Sequence, residues 1–155
     1  MNLEKLKEEV KNDLTIDKTE LGSESVRIPQ IHNKYLNFLM NDRLVLSKLE
    51  TDLTKLRHRK WLYYTGKMSH EELEELGWES FDLTVLKTDI DRFINADDEV
   101  ITLQHKVSLI REKVNYLDGV MKAINNLNWN IRAAIDWMKM TEFTIVTGKL
   151  CVVRL

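Results

Sequence analysis

The feature that most narrows the fold is a run of apolar residues at alternating three- and four-residue steps in the last third of the chain. Val100, Leu103, Val107, Ile110, Val114, Leu117, Met121, Ile124, Ile131, Ile135 and Met138 fill eleven of twelve successive a and d positions, with Asn128 the one polar occupant. A heptad of that length specifies a long helix with a continuous buried seam, as in a coiled coil or bundle. Counting Val100 as a, a second apolar set falls at c and g: Leu109, Tyr116, Val120, Ala123, Leu127, Ala134 and Trp137. Two seams need neighbours on two sides, which a two-stranded coil does not supply. Either other helices of the chain cover the second seam, or several protomers pack side by side in a closed ring. The asparagines at 125, 126, 128 and 130 favour a break in the helix over a register-fixing role for Asn128.

The remaining segments also read as helices. Five Gly and one Pro in 155 residues, with 31% charged residues, point to one body with few tight turns. Leu3, Leu6, Val10 and Leu14 predict a short amphipathic helix over 2–14 that needs a surface to dock on. Residues 15–28, with Asp17, Gly22, Ser23 and Ser25, read as a connection, and Pro29 suits the first turn of a long helix over 29–64. Ser69 and Glu72 have capping-box spacing. Phe81, Val85, Leu86, Ile90, Phe93 and Ile94 predict a further amphipathic helix over 80–95, and Asp97, Asp98 and Glu99 suit the start of the heptad helix. The periodicity ends after Phe143, leaving 144–155 as a tail with some strand character. The expected fold is all-α, with the region 96–143 forming a ring-like oligomeric hub and 1–95 a separate helical region.

Charge is strongly segregated. From Arg43 to Lys67 there are seven Lys/Arg against two Asp/Glu, and from Met68 to Val100 two against eleven. A polyanion should meet the first stretch and avoid the second. Within the first, residues 55–67 mix cations with rings: Lys55, Arg57, His58, Arg59, Lys60 and Lys67 beside Trp61, Tyr63 and Tyr64. Phosphates attract the cations and bases stack on the rings, which suits single-stranded nucleic acid. Cations in a last helical turn, with Gly66 just past the end, also satisfy the helix dipole without any ligand. The stripe of Leu46, Leu49, Leu53 and Leu56 continues as Arg57, Lys60, Tyr63 and Tyr64, so the helix end is expected to project beyond the core.

Several chemistries lack their residues. His32, His58, His70 and His105 are dispersed, no Gly-rich phosphate loop precedes a helix, and no carboxylate pair stands out as an acid and base, so neither enzyme, metal site nor cofactor is expected. A single cysteine, Cys151, fits a reducing compartment. The start of the chain has no apolar signal core, and no run approaches the roughly 18 apolar residues that cross a bilayer. No membrane association is expected.

The chain resembles the UvsY recombination mediators of T-even-type phages over roughly residues 1–143. The resemblance is carried by Leu3, Glu4 and Leu6, by Glu8-Glu9-Val10-Lys11, Asp13, Ile16-Asp17, Thr19 and Leu21, by Lys60, Leu62 and Tyr63-Tyr64-Thr65-Gly66, and by Ala96-Asp97 before the heptads. It implies a non-enzymatic protein of the host-cell cytoplasm that binds single-stranded DNA. It also implies contact with a phage RecA-like recombinase and a phage single-strand DNA-binding protein, and a ring of roughly six or seven subunits. The family's basic pair falls on His58 and Lys60. Position 58 departs from the pattern, since histidine is mostly neutral at pH 7, and Arg57 and Arg59 can supply the cation. The alternative is a coiled-coil scaffold whose basic stretch docks on the acidic segment of a neighbour.

Overall fold

The structure, a computed structural model, describes residues 2–81, 83 and 85–146, with side chains as far as residue 141. Its elements are α1 (Leu3–Asp13), α2 (Leu21–Tyr64), α3 (His70–Leu76), α4 (Ile90–Ala96) and α5 (Asp98–Val146). Among the described residues there is no strand, so the all-helical expectation holds. The part of the expected tail at 147–155, with Cys151, lies outside the described residues.

Two boundaries differ from the sequence reading. α2 begins at Leu21 rather than Pro29, and Pro29 sits inside it. Gly22, Ser23 and Ser25 are poor helix formers, and Pro29 has no N–H for the carbonyl of Ser25. What outweighs these costs is tertiary. Ile28 and Ile31 are buried, and Arg27 pairs with Glu24 at 2.7 Å and donates to the Thr15 carbonyl at 3.1 Å. The expected helix over 80–95 shrinks to α4, because the described residues from 81 to 89 follow a non-helical path. Val85 and Thr88 are β-branched and favour helix weakly, and Phe81 is held instead by the rings of Tyr63, Tyr64 and Phe93.

The asparagines do not break α5. Asn125, Asn126, Asn128 and Asn130 all face solvent, where a polar side chain costs the helix little. Asp97 starts this helix by accepting from the amides of Glu99 at 3.0 Å and Val100 at 3.3 Å. The Ser69–Glu72 capping box of α3 forms as expected.

The chain divides into two compact units, each taking parts of both contiguous regions expected from the sequence. One unit combines the described residues up to 39 with those from 115 onward. Its core gathers Leu6 and Val10 of α1, Ile28, Ile31, Tyr35 and Leu39 of α2, and Leu117, Val120, Ile124 and Ile131 of α5. Tyr35 is fully buried and its hydroxyl donates to Asp13 at 2.8 Å. Lys34 lies 2.7 Å from Asp13 and 2.5 Å from Glu9, so α1 is fastened to α2 by both its apolar stripe and its charges.

The other unit is residues 40–114. Ile90, Ile94 and Val100 form its centre, with Leu53, Leu56, Trp61, Tyr64 and Val85 packed on them. Lys113 meets Asp42 at 2.9 Å and Arg111 meets Glu50 at 2.6 Å, so α2 and α5 run antiparallel here.

The heptad residues are core of this chain. Val100, Val107, Val114, Leu117, Ile124 and Ile131 are buried and Leu103, Ile110, Met121 and Ile135 half-buried, while Met138 is exposed. The sequence reading assigns these heptad residues to the contact between protomers; within one protomer they already contribute to the cores of its units.

Leu6→Ala should lower stability by about 2–5 kcal/mol, the usual cost of emptying a buried leucine site. Lys7→Ala, on the exposed face of α1, should stay within about 0.5 kcal/mol. Urea unfolding followed by circular dichroism reads both, and equal effects would mean that α1 is not docked.

Candidate nucleic-acid interface

The end of α2 is shaped by its C-terminal turn. Gly66 adopts a left-handed φ of 66°, which a residue with a side chain rarely tolerates. Its amide bonds the Tyr63 carbonyl at 3.1 Å and the Lys67 amide bonds that of Leu62 at 2.9 Å, closing a Schellman motif. The chain thereby folds back and sets the Lys67 ammonium 4.5 Å from the centre of the Trp61 ring. His58 stacks on Trp61 with an interplanar angle of 11°. A second such turn at Gly77, φ 65°, ends α3 and leads into Trp78.

The structure separates residues 55–67 into two faces. Lys55, His58, Arg59 and Lys67 are exposed, and Trp61 is half-buried between His58 and Lys67. None of those four exposed residues forms a salt bridge among the described residues. Lys60 is on the other face. It is 6% exposed, with its ammonium 2.9 Å from Asp97, 3.4 Å from Glu99 and 3.9 Å from the centre of the Trp78 ring. Tyr64 donates to Asp97 at 2.9 Å, Tyr63 packs on Tyr64, Trp78 and Phe81, and the half-buried Arg57 donates to the side chain of Asn95.

The helix end therefore does not project beyond the core as its sequence leads one to expect. The buried stripe continues through Arg57, Lys60, Tyr63 and Tyr64 because the start of α5 supplies a carboxylate for the cation and the segment 78–93 supplies rings for the tyrosines. Asp97 and Trp78, the partners that decide this, gave little signal in sequence. Asp97 reads as part of the acidic start of a helix, and Trp78 sits in the acidic stretch with nothing to mark it as a partner for Lys60.

Asp97 serves the cap and the ion pair together. Burial pushes its carboxyl up, but hydrogen bonds from Lys60, Tyr64 and the Val100 amide prevail and hold it below the ordinary 3.8. Burial and the bond to Asp97 push the Tyr64 phenol up to about 12. The depressed carboxyl contributes stability that is complete above its unfolded pKa of 3.8 and lost as pH falls through the lower folded value. The raised phenol contributes stability that is complete below pH 10.0 and lost as pH rises to about 12. Lys60→Met should cost about 3–5 kcal/mol by leaving a buried carboxylate without its cation. Thermal melts across the pH range check both, and a Lys60→Met protein that melts like the unaltered chain would contradict the arrangement.

Among the described residues no group of three or more His, Cys, Asp and Glu could hold a metal ion, and no helix is long and apolar enough to cross a membrane. Residues 9–142 match the family model described as "Recombination, repair and ssDNA binding protein UvsY". The recombination protein uvsY of Enterobacteria phage T4 is 23% identical over 136 residues, covering 88% of this chain and 94% of that protein. Crystal structures of the bacteriophage T4 recombination mediator protein UvsY share the fold. The lattice type IV form gives a TM-score of 0.80 at 21% identity, over 90% of this chain and 99% of that one. The type II form gives 0.77 at 22% identity, over 92% and 98%. With a family match that spans most of its length, the chain belongs to the UvsY family of recombination, repair and single-stranded-DNA-binding proteins.

Proposed function

We propose that this protein is a non-enzymatic recombination mediator. It binds single-stranded DNA through the exposed face of residues 55–67 and promotes loading of a RecA-like recombinase in place of a single-strand DNA-binding protein. The observation that carries the reading is that Lys55, His58, Arg59 and Lys67 stay exposed on a folded helix end while Lys60 is withdrawn. Phosphates lie along the exposed cations and a base has access to part of Trp61; Lys60, Tyr63 and the Tyr64 hydroxyl hold the helix end in place from behind. Arg57 contributes at the edge, tethered to Asn95. Lys60 is satisfied within the chain by Asp97 and Glu99 and takes no part in this surface.

One patch that neutralises about three phosphates has a single-strand salt slope of only about 2 and binds weakly at physiological salt. Repetition in a homo-oligomer makes later contacts intramolecular and raises avidity by about 100-fold to 10,000-fold. The surface suited to self-association is the C-terminal part of α5, where Trp129 is 69% exposed and Trp137 68%, on neighbouring positions round the helix. Large exposed apolar side chains grouped in this way mark interaction surfaces.

Arg59→Ala should weaken binding of a labelled oligonucleotide and reduce the salt slope by about 0.7, without changing the thermal melt. Fluorescence anisotropy across a salt series measures this, and flat anisotropy at low salt would exclude DNA as the ligand. Exchanging Trp129 and Trp137 for glutamate should convert the oligomer to smaller particles in light scattering; unchanged particles would place self-association elsewhere.

A further inference from the structure

Beside the exposed cations lies a cavity of about 590 Å³ whose walls include Trp61, Tyr64, Lys67, Phe81, Leu83 and Lys87. Its size falls within the range that takes ligands as large as a nucleoside. One wall is aromatic, since Tyr64 and Phe81 meet edge to face with ring centres 5.1 Å apart and Trp61 stands beside them under the Lys67 ammonium. Leu83, at 68% exposure, adds an apolar group that the protein leaves largely uncovered.

Lys87 gives the cavity its meaning. The stretch from Met68 to Val100 carries eleven acids and two cations, and as sequence it should repel a polyanion. The fold nevertheless brings one of those two cations to the same cavity as Lys67. Two lysines around aromatic and apolar walls match a flat base with a phosphate on either side.

We propose that this cavity is a base-binding subsite, in which one unstacked nucleobase of single-stranded DNA lies against the aromatic wall and its flanking phosphates meet Lys67 and Lys87. The inference rests on the DNA reading above and adds to it a site in the acidic segment and a requirement for bases as well as phosphates. Sequence preference is not required, because every base has a π-face.

The test uses the full-length protein and two labelled oligonucleotides of equal phosphate number, one of thymidylate and one with abasic tetrahydrofuran residues throughout. The base-containing strand should bind about 5-fold to 100-fold more tightly in fluorescence anisotropy. Leu83→Glu, at an exposed rim position, should bring that ratio towards one. Lys87→Ala should reduce the salt slope by about 0.7 while Lys87→Arg keeps it and Lys106→Ala, on an exposed face of α5, leaves it unchanged. Equal binding of the two strands, a ratio insensitive to Leu83→Glu, or a salt slope insensitive to Lys87→Ala would each overturn the subsite while leaving DNA binding intact. Flat anisotropy with both strands would instead remove the DNA reading itself, and the subsite with it.

Discussion

The contact on which the unit 40–114 depends is the buried pair of Lys60 and Asp97. A lysine ammonium at 6% exposure is tolerable only where it is fully compensated, and here it meets two carboxylates and the face of Trp78. Asp97 is in turn held by the Tyr64 hydroxyl and spends its other oxygen on capping α5. One carboxylate therefore couples the end of one long helix to the beginning of the other. The apolar cluster of Ile90, Ile94 and Val100 closes around that point, with Leu53, Leu56 and Trp61 packed on it.

That coupling gives the helix end proposed to bind DNA a firm backing, so that it is not a loose projection. Lys60 and Tyr63 face inward, so the residues on the opposite side of the helix, two and five positions before Lys60, face outward. Lys55, His58 and Arg59 share that outward face, and the Schellman turn returns Lys67 to the same side over Trp61. Rigid backing reduces the ordering cost of binding, which suits the proposed contact with a flexible single strand.

The fold class was legible because it rests on local signals. The heptads, the stripe of Leu3, Leu6 and Val10, the Ser69 capping box and the acidic start of α5 all depend on residues within a few positions of one another. What was not legible depends on distant partners. Residues 21–28 read as a connection because Gly22, the serines and Pro29 disfavour helix, and only the burial of Ile28 and the bond from Arg27 to Thr15 reverse the balance. Lys60 is indistinguishable from its cationic neighbours until Asp97, 37 positions away, stands beside it. The heptads foretold a buried seam, but not whether the partner helix would come from the same chain. The true start of α2 was hidden by the same proline.

The central claim is that residues 55–67 divide into a face that holds the fold and a face that holds DNA. Lysine acetylation footprinting, read by mass spectrometry with and without a single-stranded oligonucleotide, tests that division directly. Lys55 and Lys67 should react readily in the free protein and be protected on DNA, while Lys60 should resist modification in both states. A Lys60 that reacts in the free protein and is protected by DNA, or a Lys55 and Lys67 indifferent to DNA, would contradict the account.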